Sequence, residues 1–181
     1  MKLIETDIEG LFILEPKIYE DERGYFMESF NTKLFQELVG STLTFVQDNE
    51  SKSASNVLRG LHYQTPPFAQ AKLVRVIRGA VLDVAVDLRK NSPTFGQHYK
   101  IILSEENKKQ FFIPEGFAHG FLTLEEDTIF SYKCSQFYNK ESERGIMWND
   151  KDLAIDWDIT QPILSEKDQY CQNFCNFASP F

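Results

Sequence analysis

Short apolar runs separated by turn signals fill the middle of this chain, from Leu43 to Tyr132. The turn signals come at fairly even intervals, and they are Gln47–Glu50, Arg78–Gly79, Lys90–Pro93, Ser104–Asn107, Pro114–Gly116 and Glu125–Asp127. The apolar residues between them follow no helical period. Because turns at this spacing are typical of antiparallel sandwiches and barrels, the pattern predicts an all-β jelly roll.

The first forty residues predict two strands and one helix. Leu11–Tyr19 has the composition of a strand, and the turn signal Asp21–Gly24 follows it. Tyr25–Phe30 alternates aromatic and polar residues, as a half-buried strand would. Asn31 can then cap an amphipathic helix that ends before Gly40. The predicted buried face of this helix carries Leu34, Phe35, Leu38 and Val39.

The strand pattern fades after Tyr132. Asn139–Gly145 is polar and predicts a surface segment. Ile163–Asp168 resembles an apolar anchor followed by a serine cap and one or two helical turns. The tail Phe174–Phe181 is aromatic without a period, and we expect it to pack on the surface or across a subunit interface.

Length and composition exclude several classes of protein. A chain of 181 residues predicts one domain, spanning residues 1–181. Its net charge of −8 argues against a nucleic-acid surface. No apolar run reaches the ~20 residues of a membrane span, and Met1–Asp7 is too acidic for a signal peptide, so we expect a cytoplasmic protein without membrane contact. Cys134, Cys171 and Cys175 have no CxxC spacing, which predicts reduced thiols.

Four cations nevertheless crowd into one short stretch of this acidic chain. Arg59, Lys72, Arg75 and Arg78 all fall within twenty residues. A local positive patch on an acidic protein suits a small anionic ligand better than a polyanion. The sequence therefore predicts a binding site for a small anion near these residues.

Strand parity indicates which of the polar side chains face inward. Lys72 shares a strand face with Val74 and Val76, and Asp83 shares one with Val81 and Ala85, which places both on the inner faces of their predicted strands. Arg59 and His62 have opposite parity, so both can face inward only if Gly60 permits a bulge. Charges inside a sheet cost free energy unless they are paired or bind a ligand, and this stretch is therefore a candidate site.

A second motif lies at Pro114–His119, where a proline-glycine turn precedes a histidine, as in the second motif of cupins. Metal-binding cupins add an HxH pair and a glutamate from earlier strands. Here Gln64 stands where the second histidine of the pair that begins at His62 would be, and Lys72 stands where the acid would be. Since a cation repels a divalent metal, we predict no metal centre.

These residue types suffice for removing a proton next to a carbonyl group. His62 can act as base, because an imidazole changes protonation near physiological pH. Lys72 or Arg59 can stabilise the enolate oxygen, and Tyr132 can return a proton. Two plainer interpretations stay open at this point: His62 as a core histidine bonded to a backbone carbonyl, and Tyr132 as a tyrosine packed at the rim of an aromatic barrel.

Six segments together are far more specific than either motif. They are Arg59–Gln64, Lys72–Val76, Ser92–Gly96, Ile113–Phe121, Tyr132–Cys134 and Pro162–Asp168. Together they closely resemble the dTDP-4-dehydrorhamnose 3,5-epimerases, a family of metal-free cupin enzymes of dTDP-L-rhamnose synthesis. The resemblance runs from about Ile8 to Asp168. It leaves out Cys171, Cys175 and the aromatic tail, for which it implies no role.

The resemblance implies a fold and a mechanism. The fold would be a cupin-type antiparallel jelly-roll barrel with a few short peripheral helices. His62, oriented by Asp168, would remove the protons at C3 and C5 of dTDP-4-dehydro-6-deoxy-D-glucose. Lys72 would face the C4 oxygen, and Tyr132 would return protons from the other face of the sugar. The enzyme would need no cofactor.

The resemblance also implies a homodimer and a set of contacts to sugar, diphosphate or thymidine. Arg23 and Glu28 would reach the site from the neighbouring subunit. The full set of candidate substrate-binding residues is Arg23, Phe26, Glu28, Gln47, Asn49, Arg59, Asp83, His119, Tyr138, Glu143 and Lys167.

Three alternatives remain in view. A relative with the same machinery that inverts only C3 or C5, or that acts on another nucleotide's sugar, is the nearest. A metal-dependent cupin oxygenase or isomerase is opposed by Gln64 and Lys72. A sugar-nucleotide binding module without catalysis is opposed by the intact set His62, Lys72, Tyr132 and Asp168.

Overall fold

Thirteen β-strands form most of the regular structure in this computed structural model, which describes residues 1–181. The strands are β1 (Lys2–Glu5), β2 (Phe12–Glu15), β3 (Ile18–Asp21), β4 (Gly24–Met27), β5 (Gln47–Ser53), β6 (Leu58–Gln64), β7 (Lys72–Arg78), β8 (Ala80–Asp87), β9 (His98–Ser104), β10 (Gln110–Ile113), β11 (Phe117–Thr123), β12 (Thr128–Cys134) and β13 (Glu143–Gly145). The helical segments are α1 (Thr32–Val39) and two short 3-10 helices, Lys167–Tyr170 and Phe174–Asn176.

The strands form two antiparallel sheets and a separate hairpin. Sheet I has the order β1-β2-β10-β7-β12-β5, and sheet II has the order β13-β6-β11-β8-β9. Strands β3 and β4 pair only with each other. Because most neighbours in each sheet are distant in sequence, the topology is a jelly roll and not a simple meander. The predicted fold class is confirmed.

The main core lies between the two sheets. It includes Val74 and Phe130 from sheet I and Val81 from sheet II, each almost completely buried. Since side chains alternate along a strand, the same packing turns Lys72 of β7 and Asp83 of β8 toward the interior. The parity predicted for these two polar residues is therefore correct.

Helix α1 covers the outer face of sheet I. The Asn31 side chain accepts a hydrogen bond from the Leu34 amide at 3.1 Å, and Gly40 ends the helix with φ +68°. Phe35 is fully buried in a cluster that includes Leu14 and other sheet residues. The predicted cap, helix and C-terminal glycine are confirmed, although Phe35 alone of the predicted face is fully buried. No helical segment has the length and apolar character needed to cross a bilayer.

The C-terminal segment covers the outer face of sheet II. Phe174 and Phe177 pack against Phe95 with ring centroids 5.3 and 6.4 Å apart. Phe177 also meets the Tyr63 ring edge-on at 5.7 Å. The aromatic tail therefore packs on the surface of its own chain, which is the first of the two placements expected for it.

Two predictions near the sheet edges are wrong, and one edge strand was missed. Leu11–Tyr19 is not one strand, because Pro16 cannot donate to a ladder and separates β2 from β3. Strand β1 was not predicted. Gln47–Glu50 is not a turn but the start of β5, an edge strand whose alternate residues are exposed, so that polar side chains are tolerated there.

The hairpin of β3 and β4 also differs from its prediction. The turn at Asp21–Gly24 is present, but the strand predicted over Tyr25–Phe30 ends at Met27. Tyr25 is 54% exposed and Phe26 is 69% exposed. The predicted half-buried strand is therefore an exposed one. Apolar side chains gathered on an exposed ribbon are typical of a contact surface for another chain.

Candidate active site

A cavity of about 300 Å³ opens between the two sheets and collects most of the predicted site residues. Sheet I supplies Lys72 and Tyr132, and sheet II supplies His62 and His119. The other predicted residues on its lining are Gln47, Asn49, Arg59, Tyr138, Glu143, Lys167 and Asp168. Residues far apart in sequence thus meet at one site.

His62 and Asp168 form a hydrogen-bonded pair in the wall of this cavity. Nε2 of His62 lies 2.5 Å from Oδ1 of Asp168, and the carboxylate is 1% exposed. Ser165 Oγ donates to the other carboxylate oxygen at 2.7 Å. Burial alone would raise the pKa of Asp168, but the hydrogen bonds from His62 and Ser165 hold that pKa below its usual value. An ionised carboxylate on Nε2 leaves Nδ1 of His62 as the nitrogen free to take a proton.

Gly60 explains how Arg59 and His62 reach the same cavity. Along β11, Phe121 pairs with Arg59 and His119 pairs with His62, so β6 carries one extra residue between these pairs. Gly60 has φ +140°, and a Cβ there would lie 2.5 Å from the Gly120 Cα. Only glycine fits this irregularity, which confirms the bulge that strand parity required.

Lys72 and Tyr132 face the cavity from sheet I. Burial lowers the pKa of the Lys72 amine and raises the pKa of the Tyr132 phenol. The phenol therefore keeps its proton through neutral pH. Lys72 makes no ion pair with a carboxylate within 4.0 Å, so its amine is not committed to another side chain.

Asp83 is the clearest correction to the predicted substrate contacts. It is fully buried and does not line the cavity. Its two carboxylate oxygens lie 3.0 Å from Nε2 of His119, which itself does line the cavity. Strand parity predicted the correct face of β8 for Asp83. It could not predict that His119, which is bonded to Asp83, would line the cavity in its place.

Strand β5 supplies one wall of the cavity through alternate residues. Gln47 Nε2 donates to Asn49 Oδ1 at 3.0 Å, which links the two predicted contacts. Ser51 lies on the same face, lines the cavity and has the one buried side-chain oxygen without a hydrogen-bond partner in the chain. Sequence reasoning missed Ser51, although the two-residue period from Asn49 was the signal that could have found it.

The rim of the cavity carries a chain of polar contacts. Tyr138 Oη donates to Glu143 at 3.1 Å, and Lys167 Nζ donates to the other oxygen of the same carboxylate at 2.7 Å. Glu143 thus joins the rim tyrosine to the segment that carries Asp168. The structure brings together these three predicted contacts, while the exposed Tyr138 ring leaves a flat aromatic surface at the opening.

Three predicted contacts lie away from the cavity of their own chain. Arg23 and Phe26 belong to the exposed hairpin, where Arg23 pairs with Asp21 at 2.5 Å. Glu28 accepts a hydrogen bond from Asn31 Nδ2 at 3.2 Å. None of the three lines the cavity.

Gln64 has a structural role at the position where a metal cupin places its second histidine. Its Nε2 donates to the carbonyls of Phe68 and Phe137 at 2.7 and 3.2 Å, and its Oε1 accepts from the Asn139 amide at 2.8 Å. The side chain therefore holds together the loops beside the cavity. No group of three His, Cys, Asp or Glu side chains is arranged to hold a metal ion.

The arrangement allows acid and base to act from opposite directions. His62 belongs to sheet II and Tyr132 to sheet I, and the cavity lies between them. Lys72, also from sheet I, adds a cation that can stabilise a developing oxyanion. A base, a cation and an acid around one small cavity are sufficient for removing a proton from one face of a carbon and delivering one to the other.

Comparisons with known proteins agree with this chemistry. Residues 5–176 match the family profile described as dTDP-4-dehydrorhamnose 3,5-epimerase. The Shigella flexneri protein of that name is 56% identical over 174 residues, which cover 96% of each chain. The crystal structure of the Elizabethkingia anophelis enzyme of that name has 57% identity and a TM-score of 0.93 and covers 97% of each chain.

A third relative was solved with a sugar nucleotide bound. It is a dTDP-6-deoxy-D-glucose-3,5-epimerase from Legionella pneumophila, in complex with dTDP-4-keto-L-rhamnose. It shares 53% identity with this chain at a TM-score of 0.94, covering 98% of this chain and 94% of its own. The family profile matches nearly the whole chain, the identity to these relatives is high over almost their full length, and the cavity holds His62, Lys72 and Tyr132. This chain therefore belongs to the dTDP-4-dehydrorhamnose 3,5-epimerase family.

Proposed function

We propose that this protein inverts C3 and C5 of dTDP-4-dehydro-6-deoxy-D-glucose to give dTDP-4-dehydro-L-rhamnose, without a cofactor. The observation that carries the proposal is the cavity in which the His62–Asp168 pair and Tyr132 stand on opposite walls. The bound ligand of the Legionella pneumophila relative supports the choice of substrate.

The first step is removal of a proton next to the C4 ketone. Nδ1 of His62 takes the proton, while the C–H electrons form the enolate and their charge develops on the C4 oxygen. Asp168 stabilises the imidazolium that results, since its carboxylate is already ionised and hydrogen-bonded to the ring. Lys72 stabilises the oxyanion from the side of sheet I.

The second step returns a proton to the opposite face of the same carbon. Tyr132 donates its phenolic proton, the enolate collapses to the ketone and the configuration is inverted. Because burial keeps the phenol protonated, the acid is ready when the enolate forms. After each inversion His62 releases its proton to solvent and Tyr132 takes one from solvent, which restores the base and the acid. C3 and C5 are both adjacent to the C4 ketone, so the same three groups then serve both carbons.

Proton NMR in deuterated water tests this function directly. With the 4-keto sugar nucleotide as substrate, we expect solvent deuterium at both C3 and C5 and accumulation of the doubly inverted product. Deuterium and inversion at one carbon only would assign the chain to single-carbon epimerases. Binding without any exchange would contradict catalysis.

A metal-free mechanism gives a second expected result. Extensive chelation should leave the rate of inversion unchanged, because Gln64 bonds to backbone groups and Lys72 repels divalent cations. Elemental analysis of purified protein should find much less than one transition metal per chain. About one metal per chain, with activity lost on its removal and restored on its return, would contradict the mechanism.

We also propose that the active protein is a homodimer in which the β3–β4 hairpin completes the partner's site. The exposed Tyr25 and Phe26 support this, as does the absence of Arg23 and Glu28 from the lining of the cavity in their own chain. Arg23 would supply positive charge for the diphosphate. The cytoplasmic location stays a prediction of the sequence, and three unpaired cysteines fit it.

Heterodimers test the exchanged hairpin. In a purified heterodimer, one subunit carries His62→Ala and the other carries Arg23→Ala/Glu28→Ala. The second subunit keeps His62 and receives an intact hairpin from the first, so one site is complete and activity should be about half that of the wild type, although each parent homodimer is inactive. The matched control pairs His62→Ala with Tyr132→Phe, where every site keeps one defect and inversion should stay low. Equal activity in the two heterodimers, or an active hairpin variant by itself, would contradict an exchanged hairpin.

A further inference from the structure

Asp83 is a buried charged group for which the mechanism above gives no role. Its carboxylate is fully buried, and its only hydrogen-bond partner is Nε2 of His119. The fully buried Asp87, by comparison, accepts hydrogen bonds from Arg89, Ser92 and Thr94. A buried carboxylate with a single partner is costly unless a cation compensates its charge.

His119 does not supply that cation. Burial lowers the pKa of its imidazole, and nearby Lys72 and His62 lower it further, against the opposing effect of Asp83. A neutral His119 beside a carboxylate must carry its proton on Nε2 and donate it to Asp83. The His119–Asp83 pair therefore keeps one negative charge.

Lys72 is the cation that lines the same cavity as His119, from the opposite sheet. It lies on β7 of sheet I, while Asp83 and His119 lie on β8 and β11 of sheet II. Burial lowers the pKa of Lys72, whereas Cys134, Asp83 and Glu143 raise it and Lys167 lowers it. The titratable and charged groups around the cavity are Arg59, His62 and Tyr63 of β6, Asp83 of β8, His119 of β11, Tyr132 and Cys134 of β12, Tyr138, Glu143 of β13, and Lys167 and Asp168 of the C-terminal segment.

Most of these groups cannot compensate the Lys72 charge. The Asp168 carboxylate is bonded to His62 and Ser165, and Glu143 is bonded to Lys167. Burial raises the pKa of the Cys134 thiol, so it stays neutral near pH 7. Asp83 is the carboxylate left without a cation of its own.

We propose that Asp83 is a positioning residue, whose buried charge keeps the Lys72 amine protonated and whose hydrogen bond fixes the His119 ring in the cavity wall. This rests on the proposed function, because only a protonated lysine stabilises the C4 oxyanion. Asp83 touches no substrate itself. It acts through Lys72 and His119.

Asp83→Asn isolates the charge, since an asparagine oxygen can still accept the His119 proton. The Lys72 pKa is measured by NMR on protein labelled with ¹³C at lysine Cε, with the Lys72 signal assigned from its absence in Lys72→Met. We expect the Lys72 pKa to fall by about 1 to 2 pH units. The alkaline limb of kcat/KM should move to lower pH by the same amount. Asp127→Asn, which removes a carboxylate paired with Lys52 on the surface, is the control and should leave both unchanged.

Failure of the Asp83 proposal and failure of the proposed function give different results. An unchanged Lys72 pKa in folded Asp83→Asn overturns the proposal, whatever the protein catalyses. A lowered Lys72 pKa with an unmoved alkaline limb overturns the role of Lys72 in the proposed function. If Asp83→Asn folds poorly, a double-mutant cycle on the free energy of unfolding takes its place. Asp83→Asn should then destabilise the wild type more than it destabilises Lys72→Met, and equal effects overturn the proposal.

Discussion

His62→Ala is expected to abolish epimerisation, with kcat/KM reduced about 10²- to 10⁴-fold or more. The reason is that Nδ1 of His62 is the base in the proposed mechanism, and no second imidazole can replace it. His119 lines the same cavity, but burial lowers the pKa of its imidazole, which makes it a poor base for this step. Solvent deuterium should therefore fail to appear at C3 or C5 of recovered substrate, and product should be lost with it.

The fold of His62→Ala should survive, because the side chain lies in a cavity wall and is 23% exposed. Asp168 keeps its hydrogen bond from Ser165, although it loses the one from His62. In the wild type the hydrogen bond from His62 helps to lower the pKa of Asp168. This bond therefore stabilises the fold at pH values above the unfolded-state pKa of Asp168, and the stabilisation disappears as the pH falls through the folded-state pKa. The variant should thus be less stable than wild type near neutral pH and approach wild-type stability in acid. Activity within a few-fold of wild type, with deuterium still entering both carbons, would remove His62 from its role.

Tyr132→Phe is expected to separate proton removal from inversion. Phenylalanine keeps the ring, whose centroid lies 6.0 Å from that of Phe130, but it has no hydroxyl proton to donate. His62 and Lys72 remain, so the enolate should still form and be reprotonated by His62 on the starting face. Deuterium should then enter recovered substrate at C3 or C5, while inverted product falls by about 10²-fold or more.

The contrast between these two variants is the informative result. His62→Ala should lose exchange and product together, whereas Tyr132→Phe should lose product and keep exchange. A Tyr132→Phe protein that inverts both carbons near the wild-type rate would exclude the phenol as the acid. The candidates for the acid would then be a water molecule and His119.

Local patterns in the sequence predicted much of the fold because they act over a few residues. Asn31 and Gly40 determine where α1 begins and ends by hydrogen bonds and backbone conformation that need no partner elsewhere. The two-residue period of β7 and β8 likewise placed Lys72 and Asp83 inward. The edges of the sheets were harder. Gln47–Glu50 resembles a turn by composition, and only its pairing with β12 makes it a strand.

The site was predictable in its residue types and less so in its contacts. The resemblance to a family identified His62, Lys72, Tyr132 and Asp168, and all four line one cavity. That Asp83 lies behind His119 depends on how two strands of sheet II align, which no local pattern encodes. The contact of the hairpin residues with a partner chain depends on a second molecule and stays a prediction.

The His62–Asp168 hydrogen bond joins residues that are 106 positions apart, and this separation makes activity sensitive to fraying. Asp168 lies on a short 3-10 helix outside the sheets, and the tail after it is held by aromatic packing and by hydrogen bonds such as those from the Met147 amide to the Gln172 carbonyl and from the Phe174 amide to Asp150, while His62 belongs to a sheet. Terminal segments outside a sheet open locally more often than whole domains unfold. The imidazole loses its carboxylate whenever the tail lifts, even though both sheets stay intact. We therefore expect heat to abolish activity at a lower temperature than the one at which the two sheets unfold.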